Sequence, residues 1–177
     1  MNIFVTILLI LAGIIVLLLI AALLIKKDHY VKREIIINAP LQKVFDFIRL
    51  LNNQEKFNKH AAVDGERENE YKGTDGTVGF LYSWRGNNKA GEGEKEIMDI
   101  VDGKRVEFEI RFVKPMRTSA RIVMETEALS PGQTKLSWSN AGTLKFPFNL
   151  FVPLLEKNLP RDMDISLANL KNILESK

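Results

Sequence analysis

Hydrophobic and polar positions divide the chain into one continuous apolar run and a long, mostly alternating remainder. From Ile3 to Ile25 no side chain is charged, and only Thr6 and Gly13 interrupt the aliphatic and aromatic residues. Coiled as a helix, rising about 1.5 Å per residue, the run reaches about 34 Å, enough to cross the hydrocarbon core of a bilayer. In lipid each backbone polar group must be satisfied within the segment, so the run is expected to be helical. The competing form, a cleaved signal peptide, has a basic start, a shorter apolar core and a small-residue cleavage site. Met1-Asn2 supplies no basic side chain, and Ala21-Ala22 leads into more Leu and Ile. The pattern predicts a transmembrane helix over residues 3–25 within an N-terminal unit 1–27, and a folded domain over 28–177. Lys and Arg are retained on the cytoplasmic side of a span, and all of them here follow it, so the domain is expected in the cytoplasm of a single-pass membrane protein.

After the run the hydrophobic period changes repeatedly. Val31 to Asn38 reads as a strand, stopped by Ala39-Pro40, because proline suits the first turn of a helix rather than a ladder. Val44, Phe45, Ile48 and Leu51 recur at helical spacing; Asn52-Asn53 is expected to break that helix before a second short one through Phe57. Strict alternation follows. Val78, Phe80, Tyr82 and Trp84 share one face, as do Val106, Phe108, Ile110 and Phe112, then Ala120, Ile122 and Met124, then Leu136 and Trp138. Asp102-Gly103 and Pro131-Gly132 punctuate them as hairpin turns, and strands so joined, each wet on one face, form an antiparallel sheet. Gly91 to Val101 is expected to be a strand of undecided register, with Ile97 and Val101 favouring one face and Met98 and Ile100 the other. Leu159, Met163, Leu167, Leu170 and Leu174 fall on one stripe of a closing helix, which Pro153 and Pro160 are expected to kink or segment in its first half.

Charge and composition exclude more than they identify. The net charge of +3 comes from 25 basic and 22 acidic residues that are interleaved rather than gathered on one face, so no nucleic-acid partner is expected. With no cysteine there is no disulfide, zinc-thiolate or thiol nucleophile. The two histidines, His29 in the segment beside the span and His60 in a loop, are too isolated for a metal cluster, and no nucleophile elbow, HExxH helix or phosphate loop is present. No metal or cofactor is therefore expected. Gly91-Glu92-Gly93-Glu94 is better read as entry to a strand than as a glycine loop, since its glutamates repel phosphate. Asp99 is a general-base candidate only if Ile97 and Val101 carry it inward. Glu107, Glu109 and Arg111 read as the wet face of the sheet. Lys26, Lys27, Lys32 and Arg33 suit anionic lipid head groups or simply mark topology.

The order of strand, two short helices, antiparallel strands and a long terminal helix resembles the helix-grip fold of the START-like superfamily, which includes the birch-pollen-allergen and polyketide cyclase/dehydrase groups. Ile35-Ile36-Ile37-Asn38-Ala39-Pro40 followed by Val44-Phe45-Asp46-Phe47-Ile48 is similar to the opening of that family. Gly76-Thr77-Val78-Gly79 through Tyr82-Ser83-Trp84 and Gly91-Glu92-Gly93 is similar to its central hairpin. Thr134 to Trp138 and Leu167 to Lys171 resemble its last strand and closing helix. In many relatives the region after the second helix is tryptophan-rich; here Gln54 to His60 carries Phe57 as its one aromatic. The resemblance implies an α+β domain whose curved sheet wraps the C-terminal helix.

A sheet curved around a helix leaves apolar space that its own side chains do not always fill, and such concave sites are the default ligand pockets. Trp84, Phe108, Phe112, Met124 and Trp138 from the sheet, with Met163 and Leu167 from the helix, are the candidate lining. A buried indole N–H needs an acceptor, and one without a protein partner would serve a ligand oxygen. The resemblance implies a lipid or other hydrophobic small molecule as ligand, so the expected function is its binding by a membrane-tethered module. A cyclase- or dehydratase-like enzyme and an interaction or stress-response domain with a filled core are the alternatives. Protein partners are not specified by any motif.

Overall fold

The alternating segments form one antiparallel sheet, and the helical stripe at the end of the chain packs into its concave face. A computed structural model describes residues 2–59, 68–86, 91–114 and 116–176. The elements are α1 (Ile3–Leu24), β1 (Asp28–Ile37), α2 (Leu41–Ile48), α3 (Leu51–Phe57), β2 (Glu68–Lys72), β3 (Leu81–Arg85), β4 (Glu92–Val101), β5 (Arg105–Lys114), β6 (Thr118–Ser130), β7 (Gln133–Thr143) and α4 (Val152–Glu175). A 3-10 turn, Phe148–Phe151, precedes α4. The seven strands run in the order β1-β7-β6-β5-β4-β3-β2, so β2 to β7 form a meander and β1 returns to pair with β7.

The core lies between sheet and α4. Met163, Leu167, Leu170 and Leu174 are buried on the helix, against Ile97, Val106, Phe108, Met124 and Leu136 from the strands and Val44, Ile48 and Phe57 from α2 and α3. The opposite face of the sheet carries charge. Arg111 is paired with Glu94, Glu96 and Glu109, and Arg121 with Glu107, as a wet face requires.

Several boundaries differ from the sequence expectation, each for a non-local reason. The first strand begins at Asp28 rather than Val31, because β7 continues to Thr143 and pairs Asp28 with it. His29 is therefore a buried strand residue and not part of a linker. The break between α2 and α3 falls at Arg49-Leu50, with Asn52-Asn53 inside α3. Asp75 causes this from a distance, accepting the backbone N–H of Leu51 at 2.8 Å and of Asn52 at 3.0 Å, two donors that begin a helix without partners. Residues 77–80 are turn rather than strand, and Val78 is exposed. The strand β2 was not expected; none of its five residues is buried.

The register of β4 resolves the ambiguity between Ile97 and Val101. Gly93, Lys95 and Ile97 face inward, and a shift between Ile97 and Asp99 leaves Met98 bulged and exposed. Asp99 emerges beyond the bulge, bonded to Arg105, which removes it as an inward general base. Helix α4 is continuous across Pro160; Pro153 occupies its first turn, where its missing N–H costs nothing. His60 lies outside the described residues.

Candidate functional site

Where β5, β6 and β7 approach the first half of α4, the inner face changes from large side chains to small ones. Phe108, Ile122, Met124 and Leu136 fill the middle of the sheet. Further along, Ile110 pairs with Ala120, and Ala120 with Gly142. A Cβ built on Gly142 would lie 2.8 Å from the Ser119 carbonyl oxygen and 3.3 Å from the Ala120 Cβ, so no side chain fits there. A cavity of about 220 Å³ opens at this end. Its lining includes Ile110 and Phe112 from β5, Ala120 and Ile122 from β6, and Trp138 and Asn140 from β7. His29 from β1, Leu144 just after β7, and Leu155, Leu159 and Met163 from α4 complete most of the wall. That volume is about seven waters at ~30 Å³ each, below the ~300 Å³ at which drug-sized sites begin. It admits a compact apolar molecule or one end of a longer one.

Two polar atoms in this lining have no partner among the described residues. Trp138 is almost fully buried, packed edge-on against Phe57 at 6.3 Å, and its indole Nε1 has no acceptor. His29 Nε2 lies 3.0 Å from Asn140 Oδ1, while Nδ1 is buried and unpartnered. With Asn140 Oδ1 as acceptor, Nε2 holds the proton and Nδ1 is left as a lone-pair acceptor. Each such group costs about 1–3 kcal/mol while unsatisfied. Elsewhere in the polar lining, Asp162 pairs with Lys59, and Ser166 Oγ accepts from the Lys59 N–H at 3.1 Å and donates to the Asp162 carbonyl at 2.9 Å.

Of the seven residues expected to line a pocket, the structure brings Phe112, Trp138 and Met163 together around this cavity. Phe108, Met124 and Leu167 are fully buried in the solid middle of the core. Trp84 lies one ring behind the cavity, edge-on to Phe112 at 5.8 Å and stacked on Tyr82 at 5.8 Å. Its indole covers Gly93, where a Cβ would come within 2.5 Å of Cζ2. The aromatic residues thus mostly fill the core, and the hollow sits where side chains are small.

The alternating pattern concealed a buried cation. Lys95 Nζ bonds Gln54 Oε1 and lies 4.7 Å from the centre of the Phe108 ring, and Gln54 in turn donates to the Ile48 carbonyl at 3.0 Å. Burial pushes the Lys95 pKa down to about 8. Lys95 faces α3 and the core rather than the cavity lining, so it serves packing between helices and sheet. Among the described residues no group of three or more His, Asp or Glu side chains is placed to hold a metal ion.

Residues 28–175 match the family described as polyketide cyclase/dehydrase and lipid transport. No curated protein matches the chain in sequence. Solved structures with the same fold include a norcoclaurine synthase from Thalictrum flavum, 11% identical, with TM-score 0.66 over 86% of this chain and 97% of that one. A Chromobacterium violaceum protein is 15% identical, with TM-score 0.60 over 84% and 98%. A Mesorhizobium loti protein is 12% identical, with TM-score 0.62 over 83% and 97%. At these identities the likeness extends to the helix-grip fold and no further.

Proposed function

Because the chain belongs to the polyketide cyclase/dehydrase and lipid transport family, we propose that residues 28–177 bind an apolar small molecule or lipid end carrying a hydroxyl-like group, held at a membrane by α1. The observation that carries this is an apolar cavity whose lining includes Trp138, with a donor lacking an acceptor among the described residues, and His29, with an acceptor lacking a donor among them. A hydroxyl oxygen accepts from one and donates to the other, while the chain behind it lies against Phe112, Leu155, Leu159 and Met163. An alkane of the same length satisfies neither atom.

The 22 residues of α1 extend about 33 Å and are apolar enough to cross a bilayer. Lys26, Lys27, Lys32 and Arg33 follow it, favouring a single pass with the domain in the cytoplasm. Binding is favoured over catalysis because Asp162, the carboxylate in the lining, is engaged by Lys59, leaving His29 as the described proton-transfer group there.

Titrating the full chain in nanodiscs with a medium-chain alcohol and the matched alkane, followed by tryptophan emission, tests the proposal. The alcohol binds about tenfold more tightly, equivalent to ~1.4 kcal/mol. Equal affinities, or no response to either, contradict it.

A further inference from the structure

Between β7 and α4 the chain reads Phe146-Pro147-Phe148-Asn149-Leu150-Phe151-Val152-Pro153-Leu154. Phe146, Phe148, Phe151 and Leu154 are 44%, 45%, 54% and 54% exposed, so four large apolar side chains crowd one short corner. A concentration of this kind, where other exposed apolar side chains of the domain are scattered along the chain, marks an interaction site. What covers it follows from where the corner sits. Asn149 is fully buried, and its Nδ2 donates to the carbonyls of Ala22 at 2.6 Å and Ile25 at 2.7 Å, the open carbonyl end of α1. The Leu144 N–H bonds the Lys27 carbonyl at 2.9 Å, and Lys26 Nζ lies 2.7 Å from Glu156. The end of α1 is thus fixed to the corner by three separate ties and is not a loose tether.

We infer that the corner Phe146–Leu154 dips into the interface of the bilayer that α1 crosses, as a second and shallower membrane contact. This rests on α1 spanning that bilayer. A helix long enough to cross the hydrocarbon core ends near its boundary, and Asn149 pins the corner at the depth of Ala22 to Ile25. Aromatic and leucine side chains at that depth bury in the boundary between head groups and acyl chains. Lys26, Lys27, Lys145 and Lys157 flank the corner and suit anionic head groups. The contact also turns the cavity toward lipid, because Leu144 and Leu155 of its lining lie within two residues of the corner along the chain.

The test places tryptophan in the full chain as Phe151→Trp and, separately, Phe148→Trp, in phosphatidylcholine–phosphatidylglycerol vesicles with brominated acyl chains. Leu17→Trp reports on the span, and the unsubstituted chain gives the background of Trp84 and Trp138. Bromine near the head groups quenches both corner probes by half or more, and deep bromine quenches Leu17→Trp. Unquenched corner probes overturn the inference. Quenching of Leu17→Trp in that case shows that the anchor stands and only the corner contact fails; its absence shows that the span itself is wrong. Blue-shifted but unquenched emission from the corner assigns it to a protein partner or a second copy, which also overturns the inference.

Discussion

The imidazole of His29 occupies the space that a side chain at position 142 would need: a Cβ on Gly142 would lie 2.7 Å from His29 Cε1. The two residues face one another across the β1–β7 pairing. The absent side chain at position 142 lets the histidine lie within the sheet, with Nε2 on Asn140 and Nδ1 unpartnered. Gly142→Ala is expected to displace the ring and cost about 1–3 kcal/mol of stability, as overpacking does. Adding His29→Ala recovers part of that loss and not all, because the Ser119 carbonyl at 2.8 Å still opposes the new Cβ. Thermal unfolding of the four members of the cycle measures the coupling.

Trp138→Phe separates ligand recognition from folding. It removes a buried donor whose orphaned state costs about 1–3 kcal/mol and also removes part of a well-packed ring. The two effects oppose, so stability without ligand changes by no more than about 1 kcal/mol. Affinity for a medium-chain alcohol falls about tenfold, while affinity for the alkane is unchanged. Calorimetric titration beside a thermal scan distinguishes this from general damage, which would lower both.

Asn149→Ala is expected to release the end of α1. Two bonds to backbone carbonyls are lost, at about 1 kcal/mol each, so the open population rises more than tenfold. Trypsin acting on the full chain in nanodiscs then cleaves after Lys26 or Lys27 correspondingly faster. Unchanged cleavage would show that the other ties, through Lys27 and Lys26, suffice without Asn149.

Lys95 gives the protein a distinctive alkaline profile. Its pKa falls from the usual 10.5 to about 8 in the folded protein because burial disfavours the charge. Between these values the unfolded chain keeps a proton that the folded protein has released, so stability rises with pH. Below the folded value the folded protein bears the full cost, about 3 kcal/mol; above the unfolded value none remains. Lys95→Met flattens that rise. Urea unfolding of both proteins from pH 8 to 10.5 measures the difference in slope.

Legibility in the sequence followed the range of the interactions involved. Strands β5, β6 and β7 and the stripe of α4 were readable because alternation and helical spacing are local consequences of having one buried face. The strand β2 was not, since no residue from Glu68 to Lys72 is buried and there is no face to alternate. The start of β1 depends on pairing with residues more than a hundred positions away, which is why His29 reads locally as a linker residue. Lys95 points inward in step with Gly93 and Ile97, a register that the Met98 bulge hides by carrying Ile100 to the same face, and the entry to α3 depends on Asp75. The cavity illustrates the same limit differently. Large aromatic residues advertise a core, but hollow space opens beside a small one, and Ala120 carries no signal of its own until β5, β6 and β7 are paired.

Native mass spectrometry of the full chain ejected from nanodiscs loaded with long-chain alcohols and lipids tests most directly that this end of the grip encloses a ligand. The unsubstituted protein is expected to retain one apolar molecule, while Ala120→Leu, which grows a side chain into the cavity, loses it without unfolding. Bare polypeptide from the unsubstituted protein, or equal retention by Ala120→Leu, would contradict the account.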